Sequence, residues 1–389
     1  MSGHRPVPVV LVGGLHRRAR AAAVHELLGP GAVAVRHDLS RVDDGIVHRT
    51  VRDRFGVREH LALEPAHGCA SCTLREDLIG VLLRLAEQPE NTLLVVELWD
   101  SVEPRALAES LCWAVLDGRP LAHDLAVAAV ITAVDADRLV ADLCCEQDVA
   151  ERGIGSATDS RPVAEVLAHQ IEYPTALAVH GADRDAAVRR QAAALLGQLN
   201  PAAMLLPTGR GRLLPLARGR FDADAAAARA DPAGRQFPDS CAADGVTTVT
   251  WRRRRPLHPG RLYAALDEVV GGSLRSRGRF WLASRPATML VWDAAGNRLA
   301  VDEAGPWLAA LPGAARGLAA EPRRLAAALD WAPRTGDRLQ QLSFTGTGLD
   351  ARALTDLLDS CLLTDDELHA GEDAWTHLTD PFRTALREA

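Results

Sequence analysis

Five unbroken apolar runs alternate with amphipathic stretches over the first half of the chain, and this alternation narrows the fold more than any other feature. The runs are VPVVLVG (7–13), AVAVRHD (32–38), NTLLVVELW (91–99), AVAAVITAVD (126–135) and TALAVHG (175–181). Between them ARAAAVHELL, LREDLIGVLLRLAEQ, PRALAESLCWAVL and VAEVLAHQIE carry helical spacing. A strand that is apolar at nearly every position must be covered on both faces, which parallel strands with crossover helices achieve. The expectation is an α/β sheet whose ligands bind where strands end and helices begin.

The second half reads differently. TTVTWRRRRP, GRFWLASR, ATMLVWDA, RLAVDEA and RLQQLSFTG read as strands of a mostly antiparallel sheet, with HPGRLYAALDEVV and DARALTDLLDSC as its covering helices. The stretch ARGRFDADAAAARADPAGRQFPDSCAADG (217–245) is rich in Ala, Asp, Arg, Gly and Pro and reads as a linker. The expected organisation is therefore one domain over 1–216, the linker over 217–245 and a smaller α+β domain over 246–389. At 389 residues, two domains are the default.

Charge and cysteine usage bound the function classes. A net charge of −7 gives no support to nucleic acid as a partner. No apolar stretch is long enough to span a bilayer, and the N-terminus enters a strand-like run without a charged leader. The seven cysteines are mostly scattered and odd in number, which suits reduced thiols in the cytoplasm. All 44 basic residues are Arg, so no mechanism that requires a lysine operates here.

That fact bears directly on VPVVLVGGLHRRARAAAVHELL (7–28), where a strand, a glycine pair and a helix follow one another. A phosphate loop needs GxxxxGK[ST]: backbone N–H groups cradle the phosphates, Lys neutralises them and the hydroxyl ligates magnesium. Gly14 holds the first position, but Ala19 replaces the second glycine, Arg20 the lysine and Ala21 the hydroxyl residue. Arg20 keeps the charge, yet its planar fork does not replace a compact ammonium. Two readings remain: an Arg-rich loop that still holds an anion at a helix N-terminus, or a strand–turn–helix retained for folding.

The second motif is HGCASC (67–72). Cys69 and Cys72 are spaced so that both thiolates reach one borderline cation such as zinc. His67 is the adjacent candidate ligand; His37, His48 and Glu64 are further ones. An inert pair of half-buried cysteines and a redox pair are the competing readings.

Four stretches in order resemble the CobW-like family of P-loop GTPases and metallochaperones: the loop at 7–28, GCASCTLREDL (68–78), VVELWDSVEP (95–104) and HQIEYPTALAVHGAD (169–183). RRRRPLHPGRLYAAL, RGRFWLASRP, AGPWLAAL, LSFTGTGLD and CLLTDDE resemble that family's C-terminal domain. The resemblance implies a P-loop NTPase-like, mostly parallel sheet flanked by helices, then a CobW-type α+β domain that contacts a client metalloprotein. It implies Glu97 as the strand-end acid and Asp183 as the survivor of the guanine-reading NKxD, here His180-Gly181-Ala182-Asp183. Asp100 stands where the family has its switch glycine, and Ser71 replaces the middle cysteine of C-x-C-C.

The expected function is metal handling, with zinc at Cys69, Cys72 and His67. GTP and magnesium would meet only Gly14, Arg20, Glu97 and Asp183, a set unsuited to hydrolysis. An active GTP-dependent zinc or cobalt metallochaperone and a metal-free interaction scaffold are the alternatives. In the C-terminal half, Arg252–Arg255 reads as a solvated or ion-paired run, Trp281, Trp292 and Trp307 as core anchors, and His258 as a helix opener.

Overall fold

The computed structural model describes residues 5–64, 70–181, 185–231, 234, 235, 237 and 239–385; for 70–74, 76, 384 and 385 it describes the backbone alone. The chain divides into two compact units, Met1–Ala226 and Ala227–Ala389.

The first unit is an eight-stranded, mostly parallel sheet with helices. Its strands are β1 (Val7–Gly13), β2 (Ala32–Asp38), β3 (Val47–Asp53), β4 (Gly56–Leu63) and β5 (Leu93–Glu97), then β8 (Leu125–Asp135), β9 (Ala176–His180) and β10 (Met204–Pro207). A two-stranded hairpin, β6 (Val115–Leu116) with β7 (Arg119–Pro120), stands apart. The order across the sheet is β10-β9-β8-β1-β5-β2-β3-β4. Only β3 and β4 run antiparallel to their neighbours. The helices are α1 (Arg17–Leu27), α2 (Ala70–Ala86), α3 (Pro104–Trp113), α4 (Leu139–Leu143), α5 (Val149–Arg152), α6 (Val163–Glu172) and α7 (Ala186–Leu199).

The five apolar runs are the five central strands. Val9, Val10, Leu11 and Val12 of β1 are fully enclosed, because β1 lies between β5 and β8 with side chains covering both faces. Ala19, Ala23, Val24 and Leu27 of α1 join that core, burying one face of the helix. The β3–β4 hairpin and β10 were not among the strands read from sequence. The linker segment is also more ordered than its composition suggests: Phe221 N donates to Val127 O at 2.9 Å, and Ala223–Ala230 is helical.

The second unit is an antiparallel sheet of β11 (Cys241–Ala243), β12 (Val246–Arg253), β13 (Arg275–Phe280), β14 (Thr288–Ala295), β15 (Arg298–Pro306) and β16 (Gln340–Thr347). Their order is β11-β12-β16-β13-β14-β15. Helical residues Leu262, Val269, Val270, Leu354 and Leu358 share a core with Trp251, Phe280, Trp292 and Phe344. Trp281, Trp292 and Trp307 are buried anchors as expected, with Trp292 packed edge-on against Phe280 and Phe344.

The arginine run is ion-paired: Arg252 to Asp330 at 2.9 Å, Arg253 to Asp359 at 2.7 Å and Arg255 to Asp365 at 2.6 Å. His258 caps the helix Pro259–Ala264 by accepting from Arg261 N. Burial and the Arg261 charge push its imidazole pKa down.

Candidate functional site

The C-terminal ends of β1 and β5 lie side by side, with Val12 in register with Glu97, and this brings three of the sequence-selected residues together. Gly14 turns the chain out of β1 with φ +130°, and a Cβ there would run into the Ala133 carbonyl. Glycine is required at that point by both conformation and space. The following residue but one, His16, is held by Asp142 of α4 at 2.6 Å, and Asp142 is held in turn by Arg152 at 2.6 Å. The loop that opens α1 is therefore tied to the neighbouring element.

Arg20 sits one helical turn inside α1 and is completely buried. Its guanidinium donates to the Gly14 carbonyl and to the Asp100 carboxylate, which comes from the loop after β5. Burial pulls the Arg20 pKa down while Asp100 and Glu97 oppose the shift. The side chain in the lysine position thus faces into the protein and is neutralised within it. The two departures from the family pattern, at 20 and at 100, are partners in one ion pair.

Asp100 is fixed from behind. Its own carbonyl accepts from Gln170 Nε2 at 2.8 Å, and the same amide donates to Val102 O at 3.1 Å. Trp99 Nε1 donates to Ile154 O at 3.0 Å.

Glu97 is buried and likewise engaged. Arg52 of β3 donates to its Oε2 at 3.0 Å, and Arg36 of β2 approaches Oε1 at 3.7 Å. Magnesium would need this carboxylate together with a helix hydroxyl, and the helix offers the Ala21 methyl instead. The helix therefore lacks the hydroxyl of the family motif, and Glu97 is engaged by Arg52. Arg36, Arg52, Asp100 as a pairing partner and Gln170 went unselected in the sequence; the signal available was two unexpected charges, Arg20 and Asp100, in motifs far apart in the chain.

The metal candidates divide between the faces of the sheet. His67 and Cys69 lie outside the described residues; Cys72 lies in the first turn of α2, and its side chain is not among those described. His37 Nε2 bonds Asp77 of that same helix at 2.6 Å, and Arg49 also donates to Asp77. Burial raises the Asp77 carboxyl pKa, but the His37 and Arg49 bonds outweigh it and the group titrates below its ordinary range.

His48 pairs in register with Asp38, one residue beyond the His37–Arg49 pair, so strand alternation turns it to the other face. There it stacks on His60 with ring centroids 5.4 Å apart. Of the two upstream histidines, His37 alone faces the cysteine helix. Glu64 is exposed. Asp183 lies outside the described residues; the preceding His180 bonds Thr208 at 3.0 Å.

The fold and the loop at its strand ends define a P-loop-type α/β domain joined to an antiparallel-sheet domain. Residues 36–207 match the family described as CobW/HypB/UreG, nucleotide-binding domain, and residues 246–362 match the cobalamin synthesis protein cobW C-terminal domain. The chain is 33% identical over 392 residues to the zinc chaperone Rv0106 of Mycobacterium tuberculosis, a comparison covering 96% of this chain and 92% of that protein. It is 28% identical over 338 residues to zinc-regulated GTPase metalloprotein activator 1 of Dictyostelium discoideum, covering 82% and 70% respectively. Among solved structures it is similar to the Zn(II)-bound YjiA GTPase from E. coli, at 13% identity and a TM-score of 0.35, covering 92% of this chain and 100% of that one. This chain belongs to the CobW family.

Proposed function

We propose that this protein is a zinc-handling chaperone of the cytoplasm that carries its metal at Cys69 and Cys72, with His67 as a third ligand, and does so without GTP turnover. The observation that carries the second half of this reading is the Arg20–Asp100 pair. An entering phosphate would have to displace a carboxylate already bonded to the cation in the lysine position, and it would meet Asp100's negative charge. The Arg52–Glu97 bond removes the metal-binding carboxylate in the same way. The first half draws its support from a relative named as a zinc chaperone and from the C-x-x-C spacing. His37, turned toward α2 and held by Asp77, is positioned to orient that helix or to add a nitrogen donor.

In this reading zinc is cargo. The chain's own work is to present two thiolates, to exclude the ion from oxygen-rich competitors by ligand softness, and to offer the antiparallel domain to a client metalloprotein. The competing reading, a GTP-driven chaperone in which Arg20 stands in for lysine, requires Arg20 to leave Asp100 and Gly14 on nucleotide entry.

A competitive zinc titration of the purified chain, with and without GTP and magnesium, tests the proposal. It predicts sub-micromolar zinc binding that GTP leaves unchanged and that Cys69→Ser or Cys72→Ser abolishes. Release or tightening of zinc by GTP overturns the GTP-independent half, and absence of zinc binding leaves a scaffold without metal.

A further inference from the structure

The antiparallel sheet of the second unit ends in two unlike edges. β11 is three residues long, and short edge strands resist pairing with another chain. β15, at the other edge, is nine residues long, and among the described residues no strand pairs with its outer side. A two-residue turn, Gly296 and Asn297, joins it to β14 and makes Ala295 and Arg298 a bonded pair. Bonding alternates from there. Ala300 and Asp302 spend their backbone groups on β14, while Leu299 and Val301 turn theirs outward.

The side chains alternate as well. Leu299 and Val301 are half-buried and pack against the helix-covered core, whereas Arg298, Ala300 and Asp302 are exposed. A cleft of about 720 Å³ runs along this edge, lined by Leu299, Val301 and Asp302 of β15 and by helical Tyr263, Leu266 and Val270. Tyr263 is half exposed there. Among the described residues Asp302 has no ion-pair partner, while the neighbouring Glu303 is taken by Arg285 at 2.8 Å.

We propose that β15 pairs with β15 of a second copy of this chain, antiparallel about a two-fold axis at Ala300, so that two sheets become one. In this register the stretch Arg298-Leu299-Ala300-Val301-Asp302 is complementary to itself. Each Arg298 lies opposite the second copy's Asp302, each Leu299 opposite its Val301, and the two Ala300 methyls meet at the axis. The backbone agrees with the side chains. Leu299 and Val301 carry the outward groups, so they form the bonded pairs, and Ala300 falls in the non-bonded pair, where Cα atoms approach to about 4.5 Å. A slip by one residue sets outward groups against inward ones, and a slip by two parts Arg298 from Asp302. The added strand also brings a second Leu299 and Val301 to the apolar cleft.

The pairing needs neither metal nor nucleotide, so it stands or falls apart from the zinc reading. Its test is sedimentation equilibrium of the full chain, with reductant and chelator present so that neither disulfides nor metal ions link copies. The expected result is a monomer–dimer equilibrium with a Kd of about 1–100 µM. Asp302→Arg sets like charges opposite at both ends of the pairing and is expected to weaken dimerisation about tenfold. Adding Arg298→Asp exchanges the two charges and is expected to restore the parent Kd to within about threefold. Both positions are exposed, and unchanged circular dichroism and thermal midpoints show that the variants fold. Ala300→Cys gives a second readout: mild oxidation without reductant is expected to link two copies through the axis, beyond any link the parent forms. A monomer at every concentration up to about 200 µM overturns the proposal and leaves the edge to a foreign strand. A dimer that Asp302→Arg leaves unchanged, a double variant no tighter than the single one, or a dimer without the Ala300→Cys link overturns it equally.

Discussion

Each unit of this chain holds an Arg–Asp pair whose arginine is almost wholly buried, Arg20–Asp100 in the first and Arg279–Asp330 in the second, and these two pairs are chemically alike but differently placed. In the second unit Arg279 and Asp330 are 2% and 4% exposed, 2.6 Å apart, and Asp330 takes a second bond from Arg252. In the first unit Arg20 is fully enclosed while Asp100 keeps 14% of its side chain exposed. Both members of the Arg279 pair are almost wholly buried, and Asp330 is held from its other side by the half-exposed Arg252. The Arg20 pair stands at the strand ends of a parallel sheet, where ligands enter, with its acid as the outer member. The same interaction is thus a packing element in one unit and, in the function proposed above, an internal substitute for a ligand in the other.

Removing the acid from the more buried pair has the largest expected effect. Asp330→Ala leaves Arg279 with an uncompensated buried charge and costs about 3–5 kcal/mol, read as a shift of the urea midpoint at constant slope. The open pair responds less. Arg20→Leu leaves Asp100 able to hydrate and costs about 1–3 kcal/mol. Adding Asp100→Ser recovers the double variant to within about 1 kcal/mol of the parent, since both charges are then gone. A cost for Arg20→Leu as large as that for Asp330→Ala erases the contrast between the two sites.

Opening the pair instead of deleting it sharpens the comparison further. Arg20→Lys with Ala21→Ser and Asp100→Gly restores the lysine and the magnesium hydroxyl of the family motif and removes the carboxylate from the switch position. That triple variant is expected to bind GTP with magnesium at least about tenfold more tightly than the parent, by equilibrium dialysis.

The smallest effect is a pH response in the second unit. The Arg261 hydrogen bonds lower the Glu367 carboxyl from 4.5 to about 2. Because the folded value lies below the unfolded one, the contribution of this contact is complete above about pH 4.5 and fades as pH falls toward 2. Glu367→Gln is expected to flatten the acid limb of a stability–pH profile by lowering stability above about pH 4.5, neutral pH included, while leaving it nearly unaffected near pH 2.

The legible parts of the fold are those where burial is continuous. Val9–Val12 and Leu93–Val96 announce themselves because both faces of each strand are covered. The β3–β4 hairpin hides for the opposite reason. Arg49 takes a buried position that an apolar residue normally fills, satisfied by Asp77 and Glu59, while Phe55, Val57 and Leu61 are exposed. Its hydrophobic pattern therefore contradicts its placement.

Within the site, the loss of lysine and hydroxyl was plain from residue types alone. That Arg20 turns inward and meets Asp100 was not, because sequence records two odd residues 80 positions apart and not their contact. The division of His37 from His48 follows from a register that only β3 supplies.

The central claim is that the phosphate loop is filled from within, and direct GTP binding tests it. Equilibrium dialysis of the wild-type chain with labelled GTP and magnesium is predicted to give no saturable binding up to about 1 mM. Saturable binding in the micromolar range, lost on removal of magnesium, would contradict the account.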